Sequence, residues 1–140
     1  MANMSKSERE AFLAQPHVGV ISIEADDRGP VTVPIWYSYE PGGHVKVLTG
    51  VNSQKTRLLQ AAGRFTICVQ RERLPYKYVS VEGPIVESRP AELERDSRPM
   101  ARRYLGPSMG DQYVEDGDDD SIAFSMEPQR WSSVDYGGAE

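Results

Sequence analysis

The sequence predicts a mainly β (α+β) fold, in which an antiparallel β-barrel is accompanied by a few peripheral helices. The length of 140 residues fits a single domain spanning residues 1–140. Six or so strand-like segments follow one another in meander order with short turns between them, as in small antiparallel barrels. The predicted helices fall between strands or near the ends, and they are too few for a doubly wound parallel sheet.

A short helix is predicted first, over residues 5–14. Ser5 and Glu8 have the spacing of a capping box, in which each side chain bonds to the backbone of the other residue. Pro16 ends this helix because it has no N–H to continue the hydrogen-bond pattern.

Two strands follow, at residues 17–25 and 31–39, around a turn at residues 26–30 that ends in Gly-Pro. The second strand alternates strictly. One face carries Val31, Val33, Ile35, Tyr37 and Tyr39, and the other carries Thr32, Pro34, Trp36 and Ser38. Since Pro34 cannot donate a ladder hydrogen bond, the strand is expected to lie at an edge or to contain a bulge.

The remaining elements are bounded by Gly, Pro and polar residues. Strands are predicted at residues 44–49, 64–70, 76–88, 121–126 and 130–136, and helices at residues 54–62 and 91–104. Gly63 is a natural end for the first of these helices, and Gly83-Pro84 predicts a bulge or a bend in the longest strand. Residues 106–120 are expected to be a loop with one helical turn at most, and residues 137–140 a frayed tail.

Composition limits the class of protein. Six of the 21 acidic residues lie in residues 111–120, which contain no Lys or Arg, so the rest of the chain is close to neutral. This acidic segment is expected to be a solvated loop, with gating of a site as the alternative. No clustered Lys and Arg indicate a nucleic-acid surface, and no apolar run is long enough to span a membrane. With Cys68 as the only cysteine and no signal-peptide core, the expected compartment is the cytoplasm, without a disulfide or a metal site.

The start of the helix at residues 54–62 is the strongest candidate for a binding site. Ser53 is a good N-cap, and Lys55 falls in the first turn. Unpaired N–H groups and the positive end of the helix dipole favour an anion at such a position. The segment therefore suggests a phosphorylated ligand. An ordinary capped helix with a solvated lysine is the alternative.

Two aromatic segments are further candidates. An edge that carries Pro34 and Trp36 could offer a flat apolar surface to an aromatic ring, or Trp36 could be buried in a dimer contact. Tyr76 and Tyr78 are two residues apart on one strand face, which is typical of sheet packing, and a ligand contact is the alternative for either of them.

The sequence shows no acid–base machinery. His17 and His44 are isolated and are expected to be surface or packing residues, and Cys68 is expected to be a small buried hydrophobe. Four arginines at helical spacing are predicted to form a solvated or acid-paired face: Arg95, Arg98, Arg102 and Arg103. A phosphate-binding turn with flat apolar surface suits a cofactor that carries its own reactivity, such as a flavin.

Three motifs, taken in order, resemble the pyridoxamine 5′-phosphate oxidase-like family. They are Pro-Val-Thr-Val-Pro-Ile-Trp-Tyr at residues 30–37, Thr-Gly at residues 49–50 followed by Ser-Gln-Lys-Thr at residues 53–56, and Tyr-Lys-Tyr-Val-Ser-Val-Glu-Gly at residues 76–83. The chain is most similar to the short actinobacterial branch of flavin- and deazaflavin-dependent oxidoreductases. Its ending, Trp-Ser-Ser-Val-Asp-Tyr-Gly at residues 131–137, is similar too.

This resemblance implies a split β-barrel homodimer that binds FMN or the deazaflavin coenzyme F420 at the subunit interface. The positions that match the family's cofactor-binding residues are Val33, Pro34, Ile35 and Trp36 along the ring, Thr49 and Gly50 between ring and phosphate, and Ser53, Gln54, Lys55 and Thr56 at the phosphate. The partner subunit would add residues around Tyr78, and Trp131 as well.

Two departures from the family's pattern narrow the prediction. The C-terminal segment lacks the arginine and histidine pattern with which true pyridoxamine phosphate oxidases recognise their substrate, so vitamin B6 is not the expected substrate. The phosphate segment has fewer arginines than many FMN binders, which favours F420. The expected activity is hydride transfer from the reduced cofactor to an unsaturated small molecule, such as an enone or a quinone. A non-catalytic FMN- or haem-binding carrier or sensor is the main alternative, and a plain dimeric interaction protein is another.

Overall fold

A computed structural model describes residues 2–117 and 120–137. The helices are α1 (Lys6–Ala14), α2 (Gln54–Ala62) and α3 (Arg98–Asp116), with a π-helical turn at Leu93–Ser97. The strands are β1 (Gly19–Ile23), β2 (Val31–Ile35), β3 (Tyr37–Ser38), β4 (Val45–Gly50), β5 (Arg64–Arg71), β6 (Lys77–Pro90), β7 (Ser121–Met126) and β8 (Arg130–Asp135). None of the helices in these two ranges has the length and apolarity needed to cross a bilayer.

The strands form one antiparallel system in the order β2-β1-β5-β6-β7-β4-β3, with β8 as a second partner of β6. The 14-residue strand β6 belongs to two sheets, because its first half pairs with β5 and β8 and its second half pairs with β7. The mainly β fold predicted from the sequence is confirmed. The simple meander of about six strands is wrong: the described residues form eight strands, and long-range pairs such as β4 with β7 interrupt the meander.

The strand predicted at residues 31–39 is in fact two strands. β2 ends at Ile35 and β3 begins at Tyr37, and they lie at opposite ends of the hydrogen-bonded order. Trp36 joins them, so the chain itself closes the barrel at this residue. The predicted alternation is confirmed, since Val31, Tyr37 and Tyr39 are buried inside. β2 is also an edge strand, as Pro34 indicated.

The barrel core consists of inward-facing aliphatic and aromatic side chains from both sheets, closed at one end by α1. The largest fully buried side chains include Tyr37, Phe124, Leu13, Ile21 and Ile67. Alternation along β4 buries Val45, Val47 and Thr49 and leaves the other three residues half-buried on the outer face. That outer face is the one that α3 covers.

The segment between β6 and β7 differs most from its prediction. The helix expected over residues 91–104 begins instead as the π-helical turn, and the loop expected over residues 106–120 is largely helical, since α3 extends to Asp116. α3 bends sharply at Gly106, where φ is 82° and Pro107 follows, and its two halves fold against each other. Gly110 permits this close approach, because a Cβ there would lie 2.7 Å from the Arg102 backbone. Residues 118–119 of the acidic segment lie outside the described residues.

The irregularity predicted for the long strand lies slightly later than expected. The register of β6 shifts between Ile85 and Glu87, beyond Gly83-Pro84. Gly83 has a different role, because a Cβ at that position would lie 1.8 Å from the Glu127 carbonyl oxygen. Only glycine therefore lets the chain after β7 cross β6 at this point. Of the predicted frayed tail, only Gly137 is described, and its N–H donates to the Asp135 carboxylate at 2.9 Å.

Candidate ligand-binding cleft

The start of α2 has the geometry that the sequence predicts. Ser53 is the N-cap, with φ −78° and ψ 159°, and its hydroxyl accepts a hydrogen bond from the N–H of Thr56 at 3.2 Å. The first N–H groups of a helix have no acceptor within it, so those of Gln54 and Lys55 are available to a ligand. No acidic residue lies in this first turn to compete for them. The segment is therefore suited to an anion.

Two cations stand beside these N–H groups. The half-buried Lys55 forms no hydrogen bond or ion pair with any of the described residues. Arg57, which the sequence analysis did not single out, donates from Nη1 to the Asn52 carbonyl oxygen at 2.9 Å and forms no ion pair with the described residues. Lys55 therefore keeps all of its donors free for a ligand, and Arg57 keeps those that do not bond to Asn52.

The two threonines of the predicted site stabilise the turn from inside. Thr49 and Thr56 are 2% and 1% exposed, and their hydroxyl groups are hydrogen bonded to each other. The Thr56 hydroxyl also donates to the Gly50 carbonyl oxygen at 2.6 Å. Because these hydroxyls are buried and already bonded, they fix the shape of the turn between β4 and α2. Ser53, Gln54 and Lys55 provide its accessible surface.

A cavity of about 550 Å³ lies between α3 and the outer face of β2 and β4, and we call it the α3 cavity. Ile35, Trp36 and Leu48 form its wall on the strand side. Its other lining residues come from the π-helical turn, α3 and the start of β7: Leu93, Ser97, Met100, Ala101, Tyr113, Val114, Asp116, Gly117 and Ser121. Its volume is within the range of small-molecule sites.

Trp36 packs within its own chain, an arrangement that neither sequence-based alternative described. Its ring stacks on Tyr104 with centroids 4.9 Å apart and contacts Tyr113 at 5.4 Å and 50°. The Tyr104 hydroxyl accepts a hydrogen bond from the Tyr37 N–H at 3.1 Å and lies 2.7 Å from the His17 carbonyl oxygen. Tyr104 thus takes the place of a strand partner where β2 gives way to β3, and it fixes the aromatic wall of the cavity.

The start of α2 connects directly to the α3 cavity. The Ser53 N–H donates to the Gly50 carbonyl oxygen at 2.9 Å, and Gly50 pairs with Ser121, which lines the cavity. A second cavity, of about 470 Å³, continues from there past Val51 and shares Leu93, Ser97 and Ser121 with the first. Together the two cavities and the helix start form one cleft.

A buried ion cluster holds the π-helical turn that forms part of this cleft. The fully buried Asp96 carboxylate accepts two hydrogen bonds from Arg89, at 2.7 and 2.9 Å, and one from Lys46 Nζ at 2.6 Å. The Glu92 N–H adds a fourth at 2.8 Å. Burial opposes ionisation of Asp96, but these donors outweigh it and hold the pKa of the carboxyl below its usual range. The cluster ties the turn to β4 and β6.

The arginine face is largely acid-paired, as predicted. Arg98 and Arg102 both bond to Asp111 across the bend of α3, at 2.9 and 2.7 Å. These two guanidinium groups lower the pKa of Asp111 to about 2. Arg103 differs, because it donates to the carbonyl oxygens of Ala14 and Gln15 and so caps the end of α1.

The other candidates lie away from the cleft. Tyr78 is the second residue of β6, whereas the α2 start connects through Ser121 to Ala91, just beyond the far end of that strand. Trp131 packs under Arg9, whose guanidinium carbon lies 4.6 Å from its ring centre. His17 packs on the Phe12 ring, which confirms its expected packing role. Among the described residues, no group of three or more His, Cys, Asp and Glu side chains is placed to bind a metal ion.

No family model and no curated protein matches the chain, but 74 solved chains do. An F420 reductase aligns with a TM-score of 0.71 at 20% identity, over 88% of this chain and 94% of its own. A conserved hypothetical protein from Mycobacterium tuberculosis aligns with a TM-score of 0.74 at 23% identity, over 96% of this chain and 86% of its own. A Listeria innocua protein, put forward as a pyridoxamine 5′-phosphate oxidase, aligns with a TM-score of 0.68 at 12% identity, over 92% of this chain and 97% of its own.

The fold is the pyridoxamine 5′-phosphate oxidase-like split barrel. The split barrel that the motifs led us to expect is therefore confirmed at the level of fold. In this split barrel, Trp36 is the point at which the chain passes from one sheet to the other.

Sequence reasoning missed the contribution of α3 to the cleft. Tyr104, Tyr113 and Met100 are separated from Trp36 by more than 60 residues, so no local pattern joins them to it. The acidic composition of residues 111–120 suggested a solvated loop and concealed the helix. The sequence signal that could have revealed it is Asp111, which follows Arg98 and Arg102 by 13 and 9 residues and could balance their charge from a second helical segment.

Proposed function

We propose that this protein is an oxidoreductase that binds the deazaflavin coenzyme F420, or FMN, in the cleft between the split barrel and α3. The observation that carries the proposal is the helix start with two free N–H groups and the unpaired Lys55, which opens beside a cavity walled by Trp36 and Leu48. A phosphorylated cofactor with a flat ring needs both features next to each other. A reduced cofactor of this kind supplies a hydride to an unsaturated acceptor such as an enone or a quinone.

The residues at the α2 start fit the phosphate end. The N–H groups of Gln54 and Lys55 would donate to phosphate oxygens, and the Lys55 ammonium would add a charge-assisted contact.

The strand side of the cleft fits the ring. Ile35 and Trp36 would face the ring system, with Val33 and Pro34 continuing along the same edge strand, and Thr49 and Gly50 would fix the path from ring to phosphate. Stacking against Tyr104 holds the indole in one orientation. Eight of the twelve described residues that line the cavity have aliphatic or aromatic side chains, so the protein contributes orientation and exclusion of water rather than a nucleophile.

A homodimer forms part of the proposal. Tyr78 lies at the opposite end of β6 from the cleft of its own chain, so it could contribute to a cofactor site only in another copy. The outer face of β1 and β2 bears the exposed Val20 and Pro34, which a second copy would cover. We expect light scattering to give twice the mass of one chain.

Titration of F420 and of FMN into matched variants tests the site. Lys55→Ala should weaken binding by about 1–3 kcal/mol, which is the value of a charge-assisted contact to phosphate. Lys6→Ala is the matched control, since Lys6 is also a first-turn lysine behind a serine N-cap but lies on the exposed start of α1. Equal affinities of wild type and Lys55→Ala would refute the phosphate role.

Turnover tests the activity separately. Protein loaded with reduced F420 or FMN should oxidise the cofactor when a panel of enones and quinones is supplied. Tight binding without turnover on any acceptor would contradict the oxidoreductase proposal and favour a carrier or sensor.

A further inference from the structure

The charges along the cleft are separated by sign. The described residues that line the α3 cavity and the second cavity include two carboxylates, Asp116 and Asp120, and no Lys, Arg or His. The cations Lys55 and Arg57 stand at the α2 start, outside both cavities. The cleft is thus positive at the helix start and negative along its cavities.

The end of α3 contributes to the negative side. Asp116 is the last residue of α3, and Gly117, which follows it, also lines the α3 cavity. The C-terminus of a helix carries a partial negative charge from its free carbonyl groups. The Gly117 N–H bonds to only two of them, those of Tyr113 and Val114. The Asp116 carboxylate and the C-terminus of α3 therefore both make the electrostatic potential in the α3 cavity more negative.

The apolar side chains of the lining indicate which kind of ligand fits the α3 cavity. Trp36, Leu48 and Met100 give the cavity aromatic and aliphatic walls, and the exposed Leu93 and Tyr113 stand on the opposite side. Flat apolar molecules gain most from such surfaces. The uncharged polar side-chain groups in this lining are the hydroxyls of Ser97, Tyr113 and Ser121, and a carbonyl or hydroxyl group of the ligand would bond to them.

We propose that the α3 cavity holds the hydride acceptor beside the cofactor ring. Asp116, which lines this cavity, and Asp120, which lines the adjoining second cavity, make the site select flat apolar acceptors without negative charge. The role as acceptor site rests on the proposed function, whereas the charge selection follows from the lining alone. The cofactor phosphate would stay at the positive end, and an anionic acceptor would be repelled from the negative end.

Three naphthalene ligands of matched shape test this selection: neutral 2-naphthylmethanol, anionic 2-naphthoate and cationic 2-(aminomethyl)naphthalene. Each is titrated calorimetrically at low salt into the full-length protein, alone and with F420 or FMN present. We expect the anion to bind at least about fivefold more weakly than the neutral compound, and the cation to bind at least as tightly as the neutral compound. The expected factor is modest because Asp116 and Asp120 are exposed, so that salt and water partly screen their charges.

The variants assign the effect to its residues. Asp116→Asn and Asp120→Asn should each reduce the discrimination against the anion, while Glu115→Gln should leave it unchanged. Glu115 is the matched control because it is an exposed carboxylate next to Asp116 that lines neither cavity. Equal binding of anion and neutral compound, an equal effect of Glu115→Gln, or no binding of any of the three ligands would overturn the inference.

These titrations are independent of the test of the proposed function. They need neither bound cofactor nor turnover, so loss of charge selection would leave the oxidoreductase proposal standing. Conversely, an unchanged cofactor affinity in Lys55→Ala would leave the charge selection of the cavity standing.

Discussion

The indole of Trp36 and the phenol of Tyr104 stack with their centroids 4.9 Å apart and their planes within 7° of parallel. This contact joins the point at which the barrel passes from β2 to β3 to the helix that covers the cleft. The Tyr104 hydroxyl lies within hydrogen-bonding distance of backbone atoms of His17 and Tyr37. Closure of the barrel and the shape of the cavity therefore depend on the same side chain.

Removal of the Tyr104 hydroxyl tests this link. Tyr104→Phe keeps the stacked ring but leaves the Tyr37 N–H without its partner, so we expect the free energy of unfolding to fall by about 1–3 kcal/mol. Denaturant unfolding measures the change. Tyr113→Phe is the control, because the Tyr113 ring also contacts Trp36 while its hydroxyl bonds to no other described residue. Equal stability losses would contradict the role of the Tyr104 hydroxyl.

The buried Asp96 cluster predicts a larger effect. Asp96→Asn would leave Lys46, whose side chain is 22% exposed, without a carboxylate partner among the described residues. It would leave Arg89, whose side chain is 16% exposed, with only its weaker pairs to Glu87 and Glu92. Because an uncompensated charge in a buried position is costly, we expect a loss of about 3 kcal/mol in unfolding experiments. Glu82→Gln breaks the exposed pair with Arg64 and should cost less than about 1 kcal/mol. A loss for Asp96→Asn no larger than this control would show that the cluster does not hold the turn.

The bend of α3 depends on the absence of a side chain at Gly110. Gly110→Ala places a Cβ 2.7 Å from backbone atoms of Arg102, so the halves of α3 must separate. We expect a loss of about 1–3 kcal/mol in thermal unfolding, as for other overpacked sites. A Cβ at Gly29 meets no atom within 4 Å, so Gly29→Ala is the neutral comparison. If both variants unfold at the wild-type temperature, the two halves of α3 are not in close contact in solution.

His17 predicts a dependence of stability on pH. Burial lowers the pKa of His17 below its usual value of 6.5, despite the hydrogen bond to the Phe12 carbonyl oxygen. Below pH 6.5 the unfolded chain therefore binds a proton that the folded chain does not. The contribution of neutral His17 to the free energy of unfolding is complete above pH 6.5. It is lost as the pH falls from there through the lowered pKa of His17 in the folded state. Urea unfolding between about pH 8 and about pH 5 should show this loss in the wild type.

The histidine variants separate this effect from general acid unfolding. The decline should become smaller in His17→Gln and persist in His44→Gln, because His44 is exposed and lies directly before β4. An identical decline in all three proteins would exclude His17 as its source.

Local features of the cleft could be predicted because their causes are local. Ser53 caps α2 through the N–H of Thr56, three residues away, and Gly63 ends the helix with φ 69°. Strand alternation likewise placed Val31, Tyr37 and Tyr39 on one face, and the structure shows that this face points inward. The break at Trp36 could not be predicted, because the alternation continues through it and only the partners of β2 and β3 differ.

By itself the sequence determined a mainly β domain, the anion-suited start of α2 and the resemblance that implies a flavin-type cofactor. The tertiary structure alone decided that Trp36 stacks on Tyr104, that Asp96 joins Lys46 to Arg89, and that the acidic segment forms part of a cavity. The physical reason is distance along the chain. Caps and alternation arise between near neighbours, whereas the cavity arises from segments up to 86 residues apart (Ile35 to Ser121) that only the closed barrel brings together.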